Sequence, residues 1–240
     1  MSDYHSIKSR PRKSDAIRHA IAEGFRSGHL QNAAKCGISY YTLGGTQFTD
    51  IKLFYNVFAE RLRHAFSYEN SADIYQRANN EAHKLKRSGQ LGELDLRVIR
   101  GDIFESNLSI LPRDGLVLVL FLDLTELLLP DHERFFRIWV VGRSLRAGDV
   151  MYVTSCVHPW LTGMRQFRMP LTSILMDHGA TQDQLLNGDY WKRDYVPNLF
   201  NHFTQMWSYR QLSKRGFCKF FTEAYRDTKF DMAINGFVVT

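Results

Sequence analysis

Apolar positions recur along this chain with two different periods, and the switch between them predicts its elements. Ile17, Ile21 and Phe25 fall four apart and predict a helix to about Ser27, with Ser14 or Asp15 able to cap it. A second short helical piece covers Leu30 to Lys35. Ile38 to Leu43 then reads as a strand and runs straight into Gly44-Gly45. Helical spacing returns at Phe48, Ile51, Phe54, Phe58 and Leu62, predicting a helix over residues 46–64. A short strand, Ala65 to Tyr68, ends in Glu69. Asn70 with Asp73 makes a near capping box for a helix that carries Ile74, Ala78, Ala82 and Leu85 on one face and stops at Gly89.

The second half continues the alternation before breaking it. Leu94 to Arg100 alternates imperfectly, as a strand does, and Gly101-Asp102 closes it. Leu116 to Leu122 is a continuous apolar run, the pattern of a strand buried on both faces of a parallel sheet, and it ends in Asp123. Pro130 and Asp131 open a helix through about Leu145, and Val150 to Val157 is the fifth strand. Residues 158–212 lose the rhythm. A loop, a helix around Leu171 to Asp177 and a helical segment around Pro197 to Leu212 are expected there, rich in aromatics such as Trp160, Trp191 and Trp207. This insert reads as a packed helical cap or as a lid facing a substrate. From Phe217 to Thr240 two apolar strands flank a short polar turn and predict an antiparallel hairpin. The expected organisation is a flexible basic tail (1–13), an N-terminal helical extension (14–37) and one α/β domain (38–240).

Composition narrows the function classes modestly. With 44% hydrophobic and 23% charged residues, the chain has the make-up of a globular protein. Its net charge of +6 favours acidic partners and makes the basic tail a candidate for weak nucleic-acid contact, although solvated tails of this kind are common. The three cysteines, Cys36, Cys156 and Cys218, include no CxxC pair, which argues against a disulfide framework or a structural zinc site and for a reducing cytoplasm. The polar N-terminus lacks the apolar stretch of a signal peptide. The most apolar run, Leu116 to Leu129, is interrupted by Asp123 and Glu126, so no membrane span is expected.

In a parallel α/β sheet, ligands bind outside the carboxyl ends of the strands. The residues standing there are Gly44, Gly45, Glu69, Asp102 and Asp123. With this series and the closing hairpin, the chain resembles the class I S-adenosylmethionine (SAM)-dependent methyltransferases over roughly residues 38–240. The resemblance implies an α/β fold whose seven-stranded, mostly parallel sheet runs in the order 3-2-1-4-5-7-6, with a C-terminal antiparallel hairpin and flanking helices. It implies SAM as cofactor, with Gly44 and Gly45 beneath its methionine part and Glu69 accepting hydrogen bonds from the ribose hydroxyls. It further implies Asp102 facing the adenine amino group, Ile103 flanking the ring, and Asp123 near the methyl group and the substrate. Where that family has GxGxG, this sequence has LGGT.

His158, just beyond the fifth strand, is a candidate general base, and Asp123, Glu126 or His158 could orient or deprotonate the acceptor, with Asp123 and His158 the catalytic candidates. No metal ligand set stands out among the nine histidines. GxSxG, HExxH and P-loop motifs are absent, as is the GxGxxG of a dinucleotide-binding domain. DLTE follows the fourth strand in place of the [DNS]PP[YFW] segment of DNA amino-methyltransferases. The expectation is therefore methyl transfer to an O, N or S acceptor of unspecified kind. Its rival is a catalytically silent protein that keeps the fold to bind nucleic acid or a protein partner.

Overall fold

The structure is a computed structural model, and it describes residues 12–105, 115–124, 133–156, 176, 180–186, 188–201, 216–227 and 230–240. Seven strands form one sheet: β1 (Ile38–Leu43), β2 (Leu62–Glu69), β3 (Asp95–Arg100), β4 (Val117–Asp123), β5 (Val150–Cys156), β6 (Phe217–Asp227) and β7 (Phe230–Val239). Their order is β3-β2-β1-β4-β5-β7-β6, as expected. The first five strands pair in parallel, and β7 runs antiparallel between β5 and β6.

Alternation along the central strands divides the core into two layers. Ile38 and Tyr40 of β1, Val119 and Phe121 of β4, and Val150 and Tyr152 of β5 point to one face. There they meet α1 (Lys13–Arg26), α2 (Gln31–Cys36), α3 (Thr49–Phe58) and α4 (Ala72–Arg87). Tyr41, Leu118, Leu120, Leu122, Met151 and Val153 point to the other face. That side is covered by α5 (Glu133–Arg143), α6 (Gln182–Leu186), α7 (Gly188–Arg193) and a helical stretch at 195–201. Burial of both faces explains why β4 reads as an unbroken apolar run.

The helix expected over 46–64 is α3, shorter at both ends. Its apolar spacing continues through Leu62, but Ala59 takes a left-handed φ of 44° and a single 3-10 turn leads into β2. Leu62 therefore opens a strand, paired with Ile38, instead of extending a helix face. The near capping box at Asn70 does not form. Ser71 is the N-cap of α4 without a side-chain cap, and the Glu69 carboxylate accepts the Ser71 N–H at 2.8 Å. At α1 the cap is Arg12, so Lys13 is already helical, and neither Ser14 nor Asp15 caps the helix.

α1 ties the start of the chain to its end. Ile17 and Ile21 pack into the first core layer, Tyr152 donates to the Ala20 carbonyl at 3.3 Å, and His19 lies 3.0 Å from Glu223 on β6. Arg12 forms a parallel bridge to Arg226. The expected helix around Leu171 to Asp177 apart from Met176, residues 1–11 of the tail, and most of the 158–212 insert lie outside the described residues. Among the described residues no helix is long and apolar enough to cross a membrane.

Candidate functional site

The carboxyl end of β1 opens into a cavity of about 300 Å³. Thr42 to Thr49 form its floor, Ser67 of β2 and Asp123 of β4 flank it, and Lys13 and Asp50 complete the lining. The loop that makes this floor is conformationally unusual. Phe48, just ahead of α3, holds a left-handed φ of 50° although it is not glycine. Such a conformation costs on the order of 1–3 kcal/mol. Burying the ring, which is 3% exposed, offsets a cost of that size.

The two glycines differ in what surrounds them. A Cβ on Gly44 would stand 2.5 Å from the Tyr68 carbonyl oxygen and 2.5 Å from Glu69 Oε2, so only glycine lets β1 and β2 end this close together. A Cβ on Gly45 would meet nothing within 4 Å. Gly45 is thus the position where the backbone faces open space, while the near side of Gly44 is occupied by Glu69.

Asp50, in the first turn of α3, is the most constrained acid of the cavity. Its carboxylate accepts hydrogen bonds from Tyr40 Oη at 2.8 Å and Thr42 Oγ1 at 2.7 Å, two side chains on the same face of β1. Burial pushes its pKa above the ordinary carboxylate range; the two hydroxyl donors oppose that shift, and nearby Asp123 adds to it. Tyr40 is pushed well above its usual range by burial and by the adjacent Asp50 carboxylate. Opposite Thr42, Ser67 is 1% exposed and its hydroxyl has no hydrogen-bond partner among the described residues. An orphaned buried hydroxyl on a cavity wall is a position that a ligand can satisfy.

Asp123 stands at the carboxyl end of β4, with Oδ1 accepting from Thr154 Oγ1 at 2.9 Å. Its Oδ2 is paired with the Lys13 ammonium, which also lies 3.9 Å from Asp227. Among the described lining residues Lys13 is the one cation, against the carboxylates of Asp50 and Asp123, and this negative excess suits a positively charged ligand group.

Glu69, Asp102 and Ile103 are not among the residues that line this cavity. Glu69 reaches it through contact with Gly44, while its Oε1 holds the Ser71 N–H. Asp102 accepts from the Phe104 N–H at 3.0 Å and is 3.1 Å from Arg137, whose guanidinium sits over the Phe104 ring. Ile103 is fully buried in the second core layer and offers no open face to a ring. His158 and Glu126 lie outside the described residues. The structure thus brings Gly44, Gly45 and Asp123 together and adds Lys13, Thr42, Asp50 and Ser67, which the sequence reading missed. The available signal for Asp50 was its place in the first turn of the helix that follows the glycines, near Tyr40 and Thr42 at alternate strand positions. Among the described residues, no three His, Cys, Asp or Glu side chains are placed to hold a metal ion.

No family model matches this sequence, and no curated protein does. Solved structures resemble it at low identity. The O-methyltransferase TomG from Streptomyces achromogenes, solved with SAM, is 16% identical, with 98% of this chain and 94% of that one covered and a TM-score of 0.44. The plantazolicin methyltransferase BpumL, solved with SAH, is 12% identical over 94% of this chain and 85% of that one, with a TM-score of 0.45. An uncharacterised protein from Listeria monocytogenes is 10% identical over 88% of this chain; 66% of its own length is covered, and the TM-score is 0.42. These likenesses concern fold alone. The strand order, with β7 inserted antiparallel between β5 and β6, is the one that the resemblance to the class I SAM-dependent methyltransferases implied.

Proposed function

We propose that this chain transfers a methyl group from SAM to an O, N or S acceptor. The observation that carries the reading is the cavity at the carboxyl end of β1, floored by Gly44-Gly45 and bearing more carboxylate than ammonium. Its volume of about 300 Å³ is at the small end for a ligand site, and it suits the amino-acid part of the cofactor rather than the whole molecule. Gly45 supplies the open backbone, Ser67 an unsatisfied hydroxyl, and Asp50 and Asp123 the counter-charge for a cationic group. Glu69, at the end of β2, retains acceptor capacity for ribose hydroxyls beyond the single Ser71 N–H it holds.

When bound, SAM supplies an electrophilic methyl on its sulfonium. The chain's own contribution is positioning. Lys13 and Thr154 fix the rotamer of Asp123, so its carboxylate stands ready to orient an acceptor without a conformational search. With one oxygen on Thr154 and the other on the Lys13 ammonium, the role of Asp123 is orientation and electrostatics. A silent binding protein is the second reading, favoured by the Glu69 side chain that fills the near side of Gly44.

Calorimetric titration of the full chain with SAM and with S-adenosylhomocysteine tests the proposal. Binding in the micromolar range supports it; absence of heat up to millimolar ligand would leave the silent reading standing.

A further inference from the structure

Past Thr46, Gln47 and Thr49, which line both, the cavity adjoins a larger and more open groove of about 690 Å³. α1, the head of α3 and the outer face of α4 form its walls. Among the described residues, Arg18, Lys52, Arg77 and Lys84 line it against one carboxylate, Glu81. Arg18 pairs with Asp15 at 2.7 Å, and Lys84 lies 3.5 Å from Glu81. Lys52 and Arg77 have no acidic partner among the described residues; Arg77 Nε donates to the Asp73 carbonyl at 3.4 Å.

We propose that this groove holds the phosphate backbone of a nucleic-acid strand and leads it to the adjoining cavity. Three features select this ligand. Arg77 and Lys84 are two helical turns apart on α4, about 10 Å along its axis, a span that serves several consecutive phosphates and exceeds one. Between the cations stand Thr46, Gln47, Thr49 and Asn80, side chains of the kind that hydrogen-bond phosphate oxygens. Among the described residues the lining contains no aromatic ring, so these side chains grip backbone without stacking bases, and binding is sequence-independent. The excess cations also agree with the chain's net charge of +6. The inference deepens the methyl-transfer reading by giving the acceptor a class, and it rests on that reading for the strand's purpose, though not for its binding.

Fluorescence anisotropy of a labelled single-stranded RNA of about 20 nucleotides, and of the matching DNA, tests the groove across a salt series. The full chain should bind with an affinity that falls linearly on a log–log salt plot. The Lys52→Gln/Arg77→Gln double variant should weaken binding at least about tenfold at low salt. It should also lower the salt slope by about 1.4, roughly 0.7 for each phosphate that is no longer neutralised. Lys219→Gln, on β6, should change neither quantity. Absence of binding to both strands, or an unchanged slope in the double variant with its melting curve intact, overturns the proposal. A parallel SAM titration separates the two readings. SAM binding without strand binding retires the groove alone, whereas strand binding abolished in the double variant upholds the groove even if SAM does not bind.

Discussion

Lys13, in the first turn of α1, forms an ion pair with Asp123, at the end of β4, across 110 positions of sequence. Both side chains are partly exposed, at 29% and 26%, so the pair sits between the surface and buried regimes and contributes about 1 kcal/mol. Its larger effect is on ligand charge. With Lys13→Ala, Asp123 loses its ammonium, and a ligand sulfonium no longer faces a competing cation. The affinity for SAM relative to uncharged-sulfur S-adenosylhomocysteine should rise several-fold, about 0.5–1 kcal/mol. Calorimetry with both ligands reads this ratio; a ratio that stays constant would detach Lys13 and Asp123 from the methyl-bearing end.

Gly44→Ala and Gly45→Ala should separate. At Gly44 the added carbon meets a backbone oxygen at 2.5 Å, which side-chain motion cannot relieve, and a loss of about 1–3 kcal/mol should appear in the urea midpoint. At Gly45 the carbon enters open space, so stability should change by less than about 0.5 kcal/mol while SAM affinity falls. Equal stabilities of the two variants would contradict the close approach of β1 and β2.

Glu69→Ala removes the carboxylate from the end of β2 and should weaken SAM binding by about 10- to 100-fold, the worth of hydrogen bonds to a charged acceptor. Glu69→Gln keeps an oxygen for the Ser71 N–H, so its melting temperature should stay near that of the parent chain while part of the affinity is lost. Unchanged SAM affinity in both would remove Glu69 from the site.

Asp50 and Asp95 should give the stability–pH profile opposite contributions. The Asp95 carboxyl is held below its ordinary range by Arg97, with His64 adding to the effect. Its contribution is present above the unfolded pKa near 3.8 and lost as pH falls through the lower folded value. Asp50 is shifted upward by burial, so its ionisation counts against the fold as pH rises from about 3.8 through the higher folded value. Asp50→Asn should therefore gain stability relative to the parent chain on going from pH 3 to neutrality, and Asp95→Asn should lose it. Urea titrations at several pH values measure both slopes, and slopes of the same sign would refute the assignment.

Local patterns carried much of this architecture. β1 was legible to the residue because Ile38 to Leu43 is bounded by Gly37 and Gly44, and β4 announced its two buried faces by composition alone. The end of α3 was not legible. Phe58 and Leu62 keep a perfect helical interval, and nothing local reveals that Ala59 turns left-handed between them. The site divided in the same way. Gly44, Gly45 and Asp123 are strand-end residues and can be placed once the strands are placed. Lys13 and Ser67 owe their positions to contacts across the sheet and from a distant helix, which one-dimensional spacing does not encode. Asp102 was placed at the correct strand end, but its partner Arg137 comes from α5, which strand spacing does not bring beside it.

Because α1 docks on β6, with Arg12 beside Arg226 and Lys13 near Asp227, the order of synthesis and the order of assembly run in opposite senses. The helix leaves the ribosome well before its docking surface emerges. At about 5–20 residues per second, the roughly 200 residues between them impose a wait of some 10–40 seconds. During that interval the apolar face of α1, with Ile17 and Ile21, lacks part of its final partner. A nascent chain stalled before β6 would carry the glycine loop and Glu69 and still lack the clasp that sets Lys13 against Asp123.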